Sequence, residues 1–131
     1  MNLDSMQEIV TAARREGKRF WEIILETDME NRGVSRGESL EKMAQNWHTM
    51  KEASEVYTGE RRSLSGMAGG QGKLMHDYSD GNPIGGEFMA QVIAEALSMG
   101  ESNACMRRVV AAPTAGACGV LPAVLIPLYW R

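Results

Sequence analysis

Apolar side chains recur every three or four positions through the first 59 residues, which is the spacing of amphipathic α-helices. A first helix is predicted on the apolar positions Leu3, Met6, Ile9, Val10 and Ala13. After an interruption at Gly17, a second helix is predicted on Phe20, Trp21, Ile24 and Leu25. The chain therefore opens with a helical pair.

A third helix begins at a capping box, in which Ser35 is followed three residues later by Glu38. Its apolar positions alternate in steps of three and four and form a seam suited to packing on another helix. The seam consists of Leu40, Met43, Trp47, Met50, Ser54 and Tyr57, and Gly59 would end the helix. Because this half carries no identifiable chemistry, we interpret residues 1–59 as a helical scaffold.

The composition changes near Glu60, so residues 60–131 are interpreted as a second segment. Its glycine-rich loop contains Gly66, Gly69, Gly70 and Gly72. Such a loop can bring backbone N–H groups close to an anion, but it lacks the spacing of a Walker A loop, and a flexible linker is the preferred interpretation.

The rest of the second segment predicts two more helices. One runs from about Glu87 to near Gly100, after which Asn103 could cap a short segment. The other is an apolar run over residues 120–128, expected to be buried. The only strand-like stretch, residues 109–112, has no partner strand, so the predicted fold class is all-α.

Composition restricts the class of protein without naming its chemistry. A net charge of −3 with 24% charged residues offers no basic stripe for phosphates, which argues against nucleic-acid binding. The N-terminal residues lack a signal-peptide pattern, and the apolar C-terminal run is too short and too rich in proline to span a membrane. Two cysteines are too few for a framework of disulfides, so the sequence favours a location in the reducing cytoplasm.

Cys118 is the strongest candidate for chemistry because it lies in a turn of small residues before the last predicted helix. The positive end of that helix dipole would favour a thiolate, suited to a metal or cluster ligand or to a nucleophile. A small buried packing cysteine is the alternative. Cys105 is interpreted as a packing residue, and neither His48 nor His76 has a catalytic-triad context.

Four stretches of the second segment together resemble the α region of the iron–sulfur-dependent L-serine dehydratases. They are Ser65-Gly66-Met67-Ala68-Gly69-Gly70, Ile84-Gly85-Gly86-Glu87-Phe88, Glu101-Ser102-Asn103-Ala104 and residues 112–122, APTAGACGVLP. Their order and spacing match that family, whereas the helical first half is compatible with it but less diagnostic.

The resemblance implies a lyase of amino-acid metabolism and gluconeogenesis that converts L-serine to pyruvate and ammonia. In this family a [4Fe–4S] cluster keeps one iron free of protein cysteine, and that iron acts as a Lewis acid on the substrate hydroxyl while a base removes the α-proton. Cys118 maps onto one of three cluster ligands. The expected substrate-binding residues are Ser65, Gly66, Gly69, Gly70, Asn103, Thr114 and Gly116, and no residue is assigned as the base.

The chain also departs from the family pattern. The other two ligand cysteines and the Ser-Ser-His motif of the β portion have no counterpart in this sequence. The resemblance therefore implies an incomplete part of the α domain, inactive alone and without a bound cluster, whose partners are L-serine, the remaining α portion and a β chain or domain. The exposed apolar end also predicts self-association. The alternatives are a helical protein-interaction module, built on the seam and the apolar tail, and a small thiol-based redox protein.

Overall fold

Six α-helices and one 3₁₀ turn make up the regular structure of residues 5–131, the part of the chain that the computed structural model describes. The helices are α1 (Met6–Glu16), α2 (Phe20–Arg32), α3 (Arg36–Glu55), α4 (Gln71–Ser79), α5 (Glu87–Ala104) and α6 (Val120–Trp130), and the 3₁₀ turn is Ala115–Ala117. No strand occurs among these residues, so the predicted all-α class is confirmed. None of these helices is long and apolar enough to cross a bilayer.

The first compact unit is Met1–Gln45, of which residues 5–45 are described. Ser5 caps α1 through a capping box with Glu8, and Gly17 ends the helix in the left-handed conformation that glycine adopts most readily. Buried Ile9, Ala12 and Ile23 join α1 to α2. The predicted helical pair is confirmed, apart from Leu3, which lies outside the described residues.

The capping box predicted at the start of α3 is confirmed. The Ser35 hydroxyl accepts a hydrogen bond from the Glu38 backbone N–H at 3.3 Å, and the Glu38 carboxylate accepts one from the Ser35 backbone N–H at 2.8 Å. The apolar seam of α3 is only partly buried: Leu40 and Met43 are exposed, whereas Met50 is 7% exposed. The helix ends at Glu55, so Tyr57 lies just beyond it.

The second compact unit, Asn46–Arg131, is built around α5. This helix packs against α4 on one side and α6 on the other, and it carries the largest set of buried residues among the described helices. Its buried positions are Ala90, Ala94, Glu95, Ser98, Met99, Glu101 and Ser102. Because α5 is covered by both α4 and α6, several of its polar side chains are buried.

The structure corrects three details of the sequence prediction. Residues 71–79 form α4, where the sequence suggested only a loop and turns. Helix α5 continues past Gly100 to Ala104, so Asn103 lies inside the helix and does not cap a new segment. Helix α6 forms as predicted, but Val120 and Leu128 are more than half exposed, so one side of it is not buried.

Candidate functional site

The last turns of α5 contact two segments that are far apart in the sequence, residues 70–72 and residues 115–118. We call residues 99–103 the α5 end. Its Glu101 binds the glycine-rich loop, its Asn103 binds the 3₁₀ turn, and the carbonyl oxygen of Met99 accepts from the Cys118 thiol. Three of the four stretches that carry the family resemblance thus meet at one short piece of helix.

Glu101 is the centre of this arrangement. Its carboxylate accepts hydrogen bonds from the backbone N–H groups of Gly70 at 2.9 Å, Gln71 at 2.7 Å and Gly72 at 3.2 Å. These groups lie at the N-terminus of α4, where backbone donors have no partner within the helix and the helix dipole favours a negative charge. The glycine-rich loop thus binds an anion, the chain's own Glu101, and the interpretation as a flexible linker is wrong for residues 70–72.

The charge on Glu101 is stabilised although the residue is only 8% exposed. Burial by itself raises the pKa of this carboxyl, but the hydrogen bonds from the Tyr57 hydroxyl and from Gly72, Gln71 and Gly70 outweigh it, and the net pKa is lowered. Glu101 is therefore an ionised group held by a closed set of donors.

Tyr57 connects the end of α3 to the same carboxylate. Its hydroxyl donates to Glu101 and accepts from the Lys73 backbone N–H at 3.1 Å. Burial and the neighbouring Glu101 charge raise the pKa of Tyr57 to about 12. The phenol therefore stays protonated at neutral pH and serves as a hydrogen-bond donor.

At two positions of the loop, the backbone conformation and the close neighbours favour glycine over any other residue. Gly69 has a φ of +134°, and a Cβ at this position would collide with the carbonyl oxygen of Arg61. Gly70 has a φ of +89°, and a Cβ would lie 2.9 Å from the Arg62 guanidinium nitrogens. Larger residues would displace the N–H groups that bind Glu101, so these two predicted site residues position the loop.

Asn103 and Thr114 organise the turn before Cys118. The Asn103 side-chain amide donates to the Ala115 carbonyl oxygen at 3.2 Å, and the Thr114 hydroxyl accepts from the Ala117 backbone N–H at 3.3 Å. At Gly116, a Cβ would make an ordinary van der Waals contact with the Thr114 hydroxyl oxygen at 3.9 Å. The structure therefore brings Asn103, Thr114 and Gly116 together.

Cys118 is 2% exposed and packs with Ala53, Met99 and Val109. Its thiol donates to the Met99 carbonyl oxygen, with an S···O distance of 3.7 Å. Burial raises the pKa of this thiol, so the expected stabilisation of the thiolate by the helix dipole is wrong for this arrangement. A protonated, buried thiol also argues against a redox-active cysteine.

Among the described residues, Ser65 and Gly66 have no hydrogen bond to the other predicted site residues. The Ser65 hydroxyl lies 3.1 Å from the Ser63 hydroxyl and accepts from the Met67 backbone N–H at 3.4 Å, so its contacts are within its own loop. Gly66 has a φ of +74° and open space around it. Cys105 is half-buried and lines a cavity, and its interpretation as a packing residue stays a prediction.

Sequence reasoning did not single out Glu101 or Tyr57. Glu101 lies in one of the four stretches that carry the family resemblance, and a glycine-rich loop is able to bind an anion. An acidic residue of the same chain was the simplest such anion. Tyr57 gave no comparable signal, because its position fitted an apolar helix seam.

A second buried polar group lies one and a half turns earlier on α5. Glu95 is 4% exposed, and its Oε1 atom has no hydrogen-bond partner among the described residues. Burial raises the pKa of Glu95, while a hydrogen bond from Ser54 and the charge of His76 act in the opposite direction. The His76 Nε2 atom lies 3.1 Å from the Ser98 hydroxyl, which donates to the Ala94 carbonyl oxygen.

These residues do not by themselves form a cluster site. A [4Fe–4S] cluster with one open iron requires three thiolate ligands, and the whole chain has two cysteines. Residues 5–131 also contain no group of three His, Cys, Asp or Glu side chains that could hold a metal ion. The two cysteines of this sequence are therefore too few to hold such a cluster.

Comparisons of the sequence with known proteins all point to the same family. The family described as "Serine dehydratase alpha chain" matches residues 15–129. An L-serine dehydratase alpha chain from Peptoniphilus asaccharolyticus is 31% identical over 130 residues, which cover 95% of this chain and 43% of the relative. A probable L-serine dehydratase alpha chain from Bacillus subtilis (strain 168) is 23% identical over 122 residues, covering 92% and 41%.

The chain thus spans less than half the length of these curated relatives. No solved structure matches it significantly.

Proposed function

The chain belongs to the serine dehydratase alpha chain family, and we propose that it forms part of an enzyme that converts L-serine to pyruvate and ammonia. The relatives' names support this reaction class. The observation that carries the proposal is the α5 end, where Met99, Glu101 and Asn103 hold Cys118, the glycine-rich loop and the turn at Thr114.

Within that enzyme we assign Cys118 as one ligand of a [4Fe–4S] cluster that other parts of the enzyme complete. Such a cluster supplies a Lewis acid when it is bound. For Cys118 to become a ligand, its thiol must lose its proton and its hydrogen bond to Met99, because only the thiolate binds metal. The general base stays unassigned.

The substrate-binding residues proposed from the resemblance fall into two groups. Asn103, Thr114 and Gly116 belong to the turn before Cys118 or bind it, and Thr114 and Gly116 are exposed. Gly69 and Gly70 hold the loop against Glu101, while Ser65 and Gly66 lie on its exposed part. We propose that Asn103, Thr114 and Gly116 contact L-serine directly. We also propose that the exposed residues Ser65 and Gly66 of the loop contribute to binding L-serine.

We expect the chain alone to be inactive, because it cannot supply three thiolate ligands. The test is anaerobic reconstitution with iron and sulfide, with and without the remaining α portion and the β chain or domain, followed by a pyruvate assay on L-serine. Cluster absorption and pyruvate are expected only in the completed mixture. A folded, completed mixture that binds no iron would overturn the proposal.

The exposed side of α6 supports the proposed assembly with the remaining α portion. Helix α6 has no charged residue before Arg131, and a helix that is apolar all round is normally buried. Pro122, Ala123, Ile126 and Pro127 are buried within the unit. The exposed apolar face of α6 consists of Val120, Leu121, Val124, Leu125 and Leu128. We propose that this face is covered by the missing portion and that it drives self-association of the chain alone.

Replacing both Val124 and Leu128 by glutamate is expected to weaken self-association of the isolated chain at least about tenfold. Each side chain buried in such a contact contributes ~1.5–3 kcal/mol, and a charge would have to be desolvated in its place. Sedimentation velocity over a concentration series measures the effect. Met43→Glu is the matched control, because Met43 is 66% exposed on α3.

The interaction-module alternative makes the opposite prediction for the control. If the seam of α3 binds partner chains, Met43→Glu weakens assembly as much as the double substitution in α6 does. Assembly would then be independent of Cys118 and of iron.

We further propose a cytoplasmic location for the protein, which the two free cysteines support.

A further inference from the structure

A cavity of about 350 Å³ lies in the second unit, between the end of α3 and the segment that follows α5. Its basic lining residues are Arg61, Arg107 and Arg108, and its acidic ones are Glu52 and Glu101. The apolar part of the wall includes Ala53, Val56 and Met106. A volume of this size accommodates a small organic molecule.

The acidic residues of the cavity are already engaged. Glu101 is held by the donors of the glycine-rich loop and by Tyr57. Glu52 faces Arg108 at 4.0 Å, and the same arginine donates to the Thr49 hydroxyl at 3.3 Å. The negative charges of the wall are therefore balanced without Arg61 or Arg107.

Arg61 and Arg107 have no such compensation. Among residues 5–131 neither guanidinium has a hydrogen-bond or ion-pair partner, yet both line the same cavity. Two positive charges that share one concave wall repel each other, and an anion between them would remove that repulsion. The planar guanidinium group pairs with two oxygens of a carboxylate or phosphate at once.

From this placement we propose that the cavity binds a small organic anion, whose carboxylate or phosphate group pairs with Arg61 and Arg107. Its carbon skeleton would lie along Ala53, Val56 and Met106. The site is separate from the proposed cluster ligand, because Cys118 does not line the cavity. Glu101 lines the cavity and also binds the glycine-rich loop, so a ligand in the cavity would lie next to the carboxylate that orders this loop.

The test is a titration of the full chain with succinate or with inorganic phosphate, followed by the NMR signals of the arginine Nε–H groups and of the Thr58 and Met106 amides. Low ionic strength is needed because salt screens exposed charges, and sodium chloride at equal ionic strength is the blank. We expect saturable shifts with at least one of the two anions. Saturation by succinate alone identifies a carboxylate ligand, and saturation by phosphate alone a phosphate ligand.

Substitution of the two arginines makes the test specific. Arg61→Gln combined with Arg107→Gln is expected to weaken the binding at least about tenfold, whereas Arg14→Gln, the same charge change on exposed α1, leaves it unchanged. Arg107→Lys should retain part of the affinity because the charge remains. Shifts that are not saturable, that chloride reproduces, or that survive the double substitution would overturn the proposal. The titration requires no cluster and no turnover, so its outcome is independent of the proposed reaction.

Discussion

Replacement of Glu101 by glutamine is expected to lower the free energy of unfolding of the second unit by about 2–4 kcal/mol, because buried donors lose a charged acceptor. The carboxylate accepts from three backbone N–H groups and from the Tyr57 hydroxyl. A glutamine side chain has one oxygen, and its NH₂ group would face donors. The loss is a large part of the stability of an ordinary domain. Urea unfolding followed by circular dichroism measures it.

The pH dependence separates this effect from a general packing defect. The folded pKa of Glu101 is lowered, so its contribution is fully present above the unfolded pKa and is lost as the pH falls through the folded pKa. Wild type should therefore lose stability in acid, and the difference from Glu101→Gln should shrink there. Glu60→Gln is the control, because Glu60 is exposed in the same unit. Equal stability of the two variants at neutral pH would contradict the assigned role of Glu101.

Replacement of Cys118 by serine in the completed enzyme is expected to remove the cluster and reduce pyruvate formation more than about 100-fold, since changes even in residues that merely support a metal ligand cost 10–100-fold. A hydroxyl is a poor substitute for a thiolate at iron. The substitution is nearly isosteric, and Cys118 contacts only a small buried cluster, so the fold should remain. Iron and sulfide content, cluster absorption and the pyruvate assay are the measurements.

Cys105→Ser is the matched control for this experiment, because Cys105 lines the arginine cavity and not the turn that holds Cys118. It should leave the iron content unchanged. Full turnover by Cys118→Ser would show that the ligand assignment is wrong. Loss of iron in Cys105→Ser would show that the cluster uses the other cysteine.

The sequence was sufficient for elements with a strong local signal. The capping box at Ser35 and Glu38 and the glycine at position 17 both depend on neighbours within a few residues, and both are confirmed. Helix α4 has no clear apolar period, and its N-terminus is stabilised by Glu101, about thirty residues further along the chain. A pattern read over a short window cannot contain such a partner.

The same distinction applies to the candidate site. Cys118 and the turn before it could be identified from residue types, and so could the anion-binding capacity of the glycine-rich loop. The state of the Cys118 thiol depends on burial among Ala53, Met99 and Val109, which come from three separate segments. The sequence therefore predicted the chemistry of individual groups better than their environment.

The bond between Glu101 and the loop also governs how the backbone exchanges hydrogen with solvent. The amides of Gly70, Gln71 and Gly72 are protected by a carboxylate on another helix, so they become available to deuterium only when the α5 end separates from α4. A loop with so many glycines would ordinarily exchange quickly and on its own. In this protein we expect the amides of residues 70–72 to open together with the last turn of α5.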